Sequence, residues 1–134
     1  MKLDNKLFMA AAIVTILNFQ SCTKYEDNPA FSLSTKKSRL VGTWEIVKVD
    51  GYSYSSSSDT YFFEFERDGD FEQGYIEDDG SIYAYGGEWE WEDSKKILEI
   101  ENYYGYVLKF QIKKLTNKEL KLEINGEEWE LEKM

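Results

Sequence analysis

The 134-residue chain contains no histidine, a single cysteine and a single proline. Each scarcity closes a route. Without histidine there is no side chain whose ordinary pKa falls at about 5 to 8, which removes the commonest general base, serine–histidine triads and most zinc sites. The one cysteine, Cys22, permits neither an internal disulfide nor a cysteine metal cluster, so the folded part must be held by packing. Basic residues are also few: 16 Lys and Arg stand against 26 Asp and Glu, for a net charge of −10. That excess repels nucleic acid and anionic surfaces, whose binding needs clusters of Lys and Arg. Nor is there a hydrophobic run long enough to span a bilayer. The apolar stretch from Leu7 to Leu17 is interrupted by Asn18 and Gln20, well short of the roughly 20 residues a transmembrane helix requires.

At the N-terminus, a short segment of net positive charge, Met1 to Lys6, precedes that apolar stretch. The order is that of a secretory signal peptide. It ends in Asn18-Phe19-Gln20-Ser21-Cys22, which resembles a bacterial lipoprotein lipobox, although Phe19 and Gln20 depart from the strict Leu-Ala-Gly form. The resemblance implies removal of residues 1–21 and lipid attachment at Cys22. The alternative is an ordinary free thiol or cleavage elsewhere. Several acyl chains, at about 0.8 kcal/mol per buried CH₂, make an anchor that does not readily dissociate. An exported lipoprotein of the cell outer membrane is therefore expected, facing the periplasm or the exterior. Residues 22–38 are polar, contain the only proline and show no hydrophobic period, so they read as a tether. Extended at about 3.3 Å per residue, it would reach roughly 50 Å from the bilayer. Within it, Glu26-Asp27 after Lys24 resembles the acidic tags that send some lipoproteins to the outer face; a solvated linker is the equal alternative.

Residues 39–134 read as one domain, all-β, because the hydrophobic period there is two. Tyr61, Phe63 and Phe65 alternate with Glu64 and Glu66, Leu108, Phe110 and Ile112 with Lys109 and Lys113, and Trp129 and Leu131 with glutamates. The phase slips between Ile46 and Val47, which predicts a β-bulge. Turn signals at Asp50-Gly51, Arg67 to Asp70, Asp78-Asp79-Gly80, Asp93 to Lys95, Tyr103-Tyr104-Gly105, Thr116 to Lys118 and Asn125-Gly126 separate about eight strands. Asn125-Gly126 suits a type I′ hairpin that places Leu122 opposite Trp129 and Leu120 opposite Leu131. A turn at Tyr103-Tyr104-Gly105 pairs Ile100 with Leu108 and leaves Glu99 beside Lys109 outside. Strands with one apolar and one charged face can close into an antiparallel up-and-down barrel of about eight strands, which removes exposed edges; an open sandwich is the alternative.

The opening Leu40-Val41-Gly42-Thr43-Trp44 resembles the Gly-x-Trp start of lipocalins. Tyr61 to Phe65, the Gly-Glu-Trp-x-Trp strand from Gly87 to Trp91 and the segment from Ile112 to Leu120 follow in the order seen in the small bacterial lipocalin-like domains of lipoproteins. The resemblance covers residues 38 to 134 and implies the fold and a binding role. Where lipocalins place an arginine over the first-strand tryptophan, only Lys133 is available. The C-terminal helix of larger lipocalins is missing too, so a deep cavity is not expected.

An eight-stranded barrel is either filled by its own side chains or holds one small ligand. The inward residues are nearly all large, which predicts a solid lower barrel and a shallow pocket at one mouth. Loops 51–59, 77–81, 103–105 and 125–126 should share that mouth if Gly86-Gly87 is a bulge within a strand. It would carry Tyr52, Tyr54, Tyr103 and Tyr104, whose rings offer apolar area and a hydroxyl with few rotors, and these are the candidate ligand-binding residues. For Tyr52, Tyr54 and the serine run after them, a ligand-free flexible loop is the competing reading. Tyr83 and Tyr85 are assigned to strand packing. No cofactor or metal is expected, since Asp68-Gly69-Asp70 and Asp78-Asp79-Gly80 lack the calcium-loop pattern and read as turns. Glu90 opposite Glu99 makes an acidic outer wall, either a solubilising surface or a face for a basic partner. The expectation is a non-catalytic, membrane-anchored protein that binds a small apolar or amphipathic ligand, or alternatively an envelope protein partner. Carboxylate pairs alone, among so many glutamates, do not signal a glycosidase.

Overall fold

The computed structural model describes residues 35–54 and 58–134. Cys22, the leader and the serines at 55–57 lie outside them. The elements are a short helix α1 (Lys36–Leu40), then β1 (Gly42–Val49), β2 (Tyr52–Ser53), β3 (Thr60–Phe65), β4 (Asp70–Ile76) and β5 (Ile82–Glu92). They continue with β6 (Ile97–Glu101), β7 (Val107–Leu115), β8 (Glu119–Ile124) and β9 (Glu127–Lys133). Each strand pairs antiparallel with the next in space, and β1 also pairs with β9, so β1 and β3 to β9 close an eight-stranded barrel. The two-residue β2 is an addition to the eight, folded back on β1 through Asp50-Gly51, both at positive φ. No helix among the described residues is long and apolar enough to cross a membrane.

The hairpin registers are those the turn residues dictate. Asn125 and Gly126 have φ of 52° and 79°, and Leu122 faces Trp129 while Leu120 faces Leu131. Ile100 faces Leu108 and Glu99 faces Lys109. The register of β1 on β9 shifts between Ile46 and Lys48, where the hydrophobic phase slips. A second shift, between Ile112 and Lys114 in β7, is not marked by any turn residue. Gly86-Gly87 sits inside β5 without a bulge: Gly86 faces Glu72 and Gly87 faces Phe71 in unbroken register.

The tether boundary at residue 38 falls inside α1. Thr35 caps the helix by accepting the Ser38 N–H at 3.1 Å, a local signal that a polar run conceals. Five residues are too few to show a 3.6-residue period, yet Leu40 is fully buried under the barrel. Arg39 is buried too, its Nη1 donating to the Leu115 carbonyl at 2.9 Å, and the Trp44 indole N–H donates to the Leu40 carbonyl at 2.8 Å. Lys133 completes this closed end. Its Nζ stands 4.4 Å from the Trp44 ring centroid and donates to the carbonyls of Arg39 and Val41 at 3.0 and 2.6 Å. Phe65, Phe71, Leu98, Leu115 and Leu120, all essentially inaccessible, form part of the core above it.

Candidate ligand site at the barrel mouth

Because the chain passes up and down, the described connecting residues 50–54, 58–59, 77–81, 102–106 and 125–126 share the end opposite α1, as the continuity of β5 requires. The barrel is filled up to a layer of aromatic rings. Phe63 lies at 5.2 Å from Phe71 and 6.5 Å from Phe110, and stacks on Trp129 at 5.7 Å with the planes 21° apart. Above that layer is an open cavity of about 530 Å³. Its floor is Ile46, Phe63 and Phe110. Its walls are Val49, Leu108, Ile124 and Trp129 on one side, with Tyr54, Tyr61, Gln73, Tyr75 and Tyr85 on the other. No lining residue carries a formal charge at neutral pH. The size falls within the roughly 300 to 1,000 Å³ of small-molecule sites, so the pocket is at the mouth but larger than the shallow one expected.

The extra room has a backbone cause. Ile82 to Glu88 of β5 pair with β4, whereas β6 meets β5 only from Glu88 to Glu92. The upper part of β5 therefore stands out with β4 as a two-stranded arm, and Ile82 to Gly86 are exposed. Tyr85 and Gln73, directly opposite each other, thus face a hollow instead of another strand's side chains.

Of the four tyrosines expected at the site, Tyr54 lines the cavity and meets Tyr61 edge-on at 5.5 Å. Tyr103 is outside the lining and reaches it only through Tyr85, at 5.7 Å. Tyr104 packs on Tyr103 at 5.4 Å and is 69% exposed, and Tyr52, opposite Val49, is 78% exposed; neither belongs to the lining. The sequence reading weighted tyrosines in loops because they look like recognition residues, whereas the tyrosines lining the cavity are mostly in strands. Tyr85, assigned to packing, is part of the wall. Tyr61, Gln73, Tyr75 and Trp129 also line the cavity and were not among the candidates. Their inward phase within three residues of a mouth turn was the available signal for Tyr61, Tyr75 and Trp129.

The rim is acidic. Glu127 accepts the Trp129 indole N–H at 2.7 Å, and Glu77, Asp78 and Asp79 occupy the β4–β5 turn. Asp79 accepts the Ser81 amide at 2.9 Å, and these Ser81 hydrogen bonds hold its pKa below the ordinary value. Burial, then the charge of Glu77, push the Tyr75 hydroxyl above its ordinary pKa.

On the outer wall Glu90 does face Glu99, with Lys109 placed 3.1 Å from Glu92 and 3.9 Å from Glu99. Burial and the neighbouring Glu92 and Glu90 raise the Glu99 pKa, while the Lys109 hydrogen bond lowers that of Glu92. A second hollow, of about 380 Å³, lies on the β1, β8 and β9 side among Lys48, Lys121, Glu45 and Glu130. It is charged where the mouth is not. At the closed end, oxygens of Glu66, Asp68 and Asp70 lie within 4.8 Å of one another. Asp68 uses one to accept the Asp70 amide at 3.0 Å, the turn role read from sequence.

A barrel of this strand order matches known proteins. The family model for the lipocalin-like domain matches residues 40–122. This chain belongs to the lipocalin-like domain family. A lipocalin-like protein from Bacteroides uniformis has a similar solved structure, with a TM-score of 0.58 and 20% identity over 72% of this chain and 99% of that one. An uncharacterized protein from Bacteroides eggerthii gives a TM-score of 0.59 and 18% identity over 71% and 99%. At those identities the likeness speaks for the fold. No curated protein matches the chain. In this lipocalin-like domain Lys133 takes the place over Trp44 where an arginine was looked for.

Proposed function

We propose that this lipocalin-like protein is a non-catalytic binder, held at the outer membrane through lipid on Cys22, that carries a small apolar or amphipathic molecule in the mouth cavity. The observation that supports it most is the combination of about 530 Å³ of open space with a lining of aliphatic and aromatic side chains and one amide, Gln73. Burial of apolar ligand surface is favourable by about 25 cal/mol per Å², so such a cavity attracts apolar matter without any chemistry. Among the lining residues the only ionisable groups are tyrosines, which are poor acids and bases near neutral pH. The fold speaks for binding rather than catalysis on the same ground.

Native mass spectrometry of residues 23–134 from the producing bacterium is the test. A discrete extra mass that is lost on denaturation is expected. Leu108→Trp, which fills the cavity from one wall, should release that mass while the barrel stays folded; a retained mass would place the ligand elsewhere. Fractionation after Cys22→Ser tests the anchor, and a protein that stays in the membrane fraction would sink it. A second reading, a protein-interaction module, draws on the exposed flank of Ile82, Tyr83, Tyr104, Tyr106 and Val107. A complex that survives Leu108→Trp but is lost with Tyr104→Ala and Tyr106→Ala would favour it.

A further inference from the structure

The basic residues of the barrel are sorted by end, whereas acidic residues, among them Glu66, Asp68, Asp70 and Asp93 at the closed end, occur at both. The closed end holds Lys36, Lys37 and Arg39 in α1, Arg67 and Lys95-Lys96 in its turns, Lys118, and Lys133. The mouth turns contain Asp50, Asp59, Glu77, Asp78 and Asp79, and no Lys or Arg among the described residues. Lys48 and Lys109, one and two positions from the mouth end of their strands, stand on the outer wall beside Glu130 and beside Glu92 and Glu99.

These carboxylates, in two of the four mouth connections, border an uncharged cavity whose lip is aromatic. Tyr54, Tyr61 and Tyr75 make a continuous run of rings, with centroids 5.5 and 5.9 Å apart. We propose that the cavity selects amphiphiles with a cationic head, an amine or quaternary ammonium, whose apolar body rests on Phe63, Phe110 and Leu108 while the head lies at the tyrosine lip beneath the carboxylates. Tyrosine faces attract such a cation through the ring quadrupole, and quaternary ammonium groups suit them because they are weakly hydrated. An anionic head at the same depth would meet the carboxylates with no basic partner and would lose its hydration. The rise in the Tyr75 pKa, to which Glu77 and Asp59 contribute after burial, agrees with a negative field at the lip.

The inference rests on the binding reading above, and a matched ligand series separates the two. Calorimetry on the mature chain carrying Cys22→Ser, so that no acyl group competes, would compare dodecyltrimethylammonium, dodecanol and dodecanoate below their micelle thresholds. The ammonium should bind on the order of tenfold more tightly than the carboxylate at low salt, with the gap shrinking at high salt. Glu77→Gln with Asp78→Asn should narrow the gap and leave dodecanol unchanged, whereas Tyr75→Leu should weaken the ammonium more than the alcohol. If dodecanol binds and the two charged probes bind equally, or the carboxylate more tightly, the charge selection is overturned and the apolar site stands. If none of the three binds, both readings fall.

Discussion

Two tryptophans at opposite ends of the barrel are used in opposite ways. Trp44, at the closed end, is 0% exposed, gives its indole N–H to the Leu40 carbonyl and has Lys133 over its face. Trp129, at the mouth, is half-buried, gives its N–H to the Glu127 carboxylate, and borders open space. One is enclosed by α1, backbone carbonyls and a lysine, so its whole surface works for stability. The other leaves a face without protein neighbours, which forfeits packing and leaves apolar area for something else to cover. The closed end therefore carries the fold, and the mouth is where the proposed ligand would be held.

Mutations can break that comparison. Trp44→Ala should cost the most, about 3 to 5 kcal/mol, because it empties the base of the core. Urea unfolding checks it, and a loss no larger than that of Trp129→Ala would erase the distinction between the ends. Gly74→Ala should cost about 2 kcal/mol or more, since a Cβ there would collide with the Tyr83 carbonyl across the β4–β5 pair. Its effect should include weaker ligand binding, because Tyr75 and Tyr85 are set by the same pair of strands. Lys133→Met keeps the stem over Trp44 but removes the charge and two hydrogen bonds, for a loss of about 1 to 2 kcal/mol with mouth binding unchanged.

On the wall between the ends, Glu99→Gln should raise the thermal midpoint slightly at neutral pH. The raised Glu99 pKa means that the folded state takes up its proton first, so this residue's contribution improves as pH falls through its folded value and is unfavourable above it. Glu92, held low by Lys109, has the opposite sign: its contribution is present above the ordinary glutamate pKa and is lost as pH falls through its folded value. With Glu99 neutralised, stability should decline more steeply in acid, and a midpoint titration that is unchanged would show that the Glu99 pKa is not raised in the folded state. The smallest effect, within about 0.5 kcal/mol, is expected for Tyr52→Ala and Tyr104→Ala, which are mostly solvent-exposed. A large loss of ligand binding from either would return the loop tyrosines to the site.

How much of this was legible depended on range. At Asn125-Gly126 the turn type, the alternation of apolar residues and the pairing all involve residues within a few positions of one another, so the register could be read directly. The same holds at Tyr103-Tyr104-Gly105. The β-bulge after Ile46 was visible as a phase slip, whereas Lys133 was named over Trp44 only through the resemblance to lipocalins, as the one basic residue available where they place an arginine. The short helix was missed because its burial falls on two residues, Arg39 and Leu40, and one of those is charged.

The amino-acid sequence alone therefore determined antiparallel β structure with alternating faces in hairpin order, because turn chemistry and a period of two act locally, while closure of the barrel came only with the pairing of β1 and β9. The tertiary structure alone decided that the mouth is hollow and that Tyr61, Tyr75 and Tyr85 line it. A cavity is the space left where side chains from several strands fail to meet, and here that depends on β6 ending short of the upper half of β5.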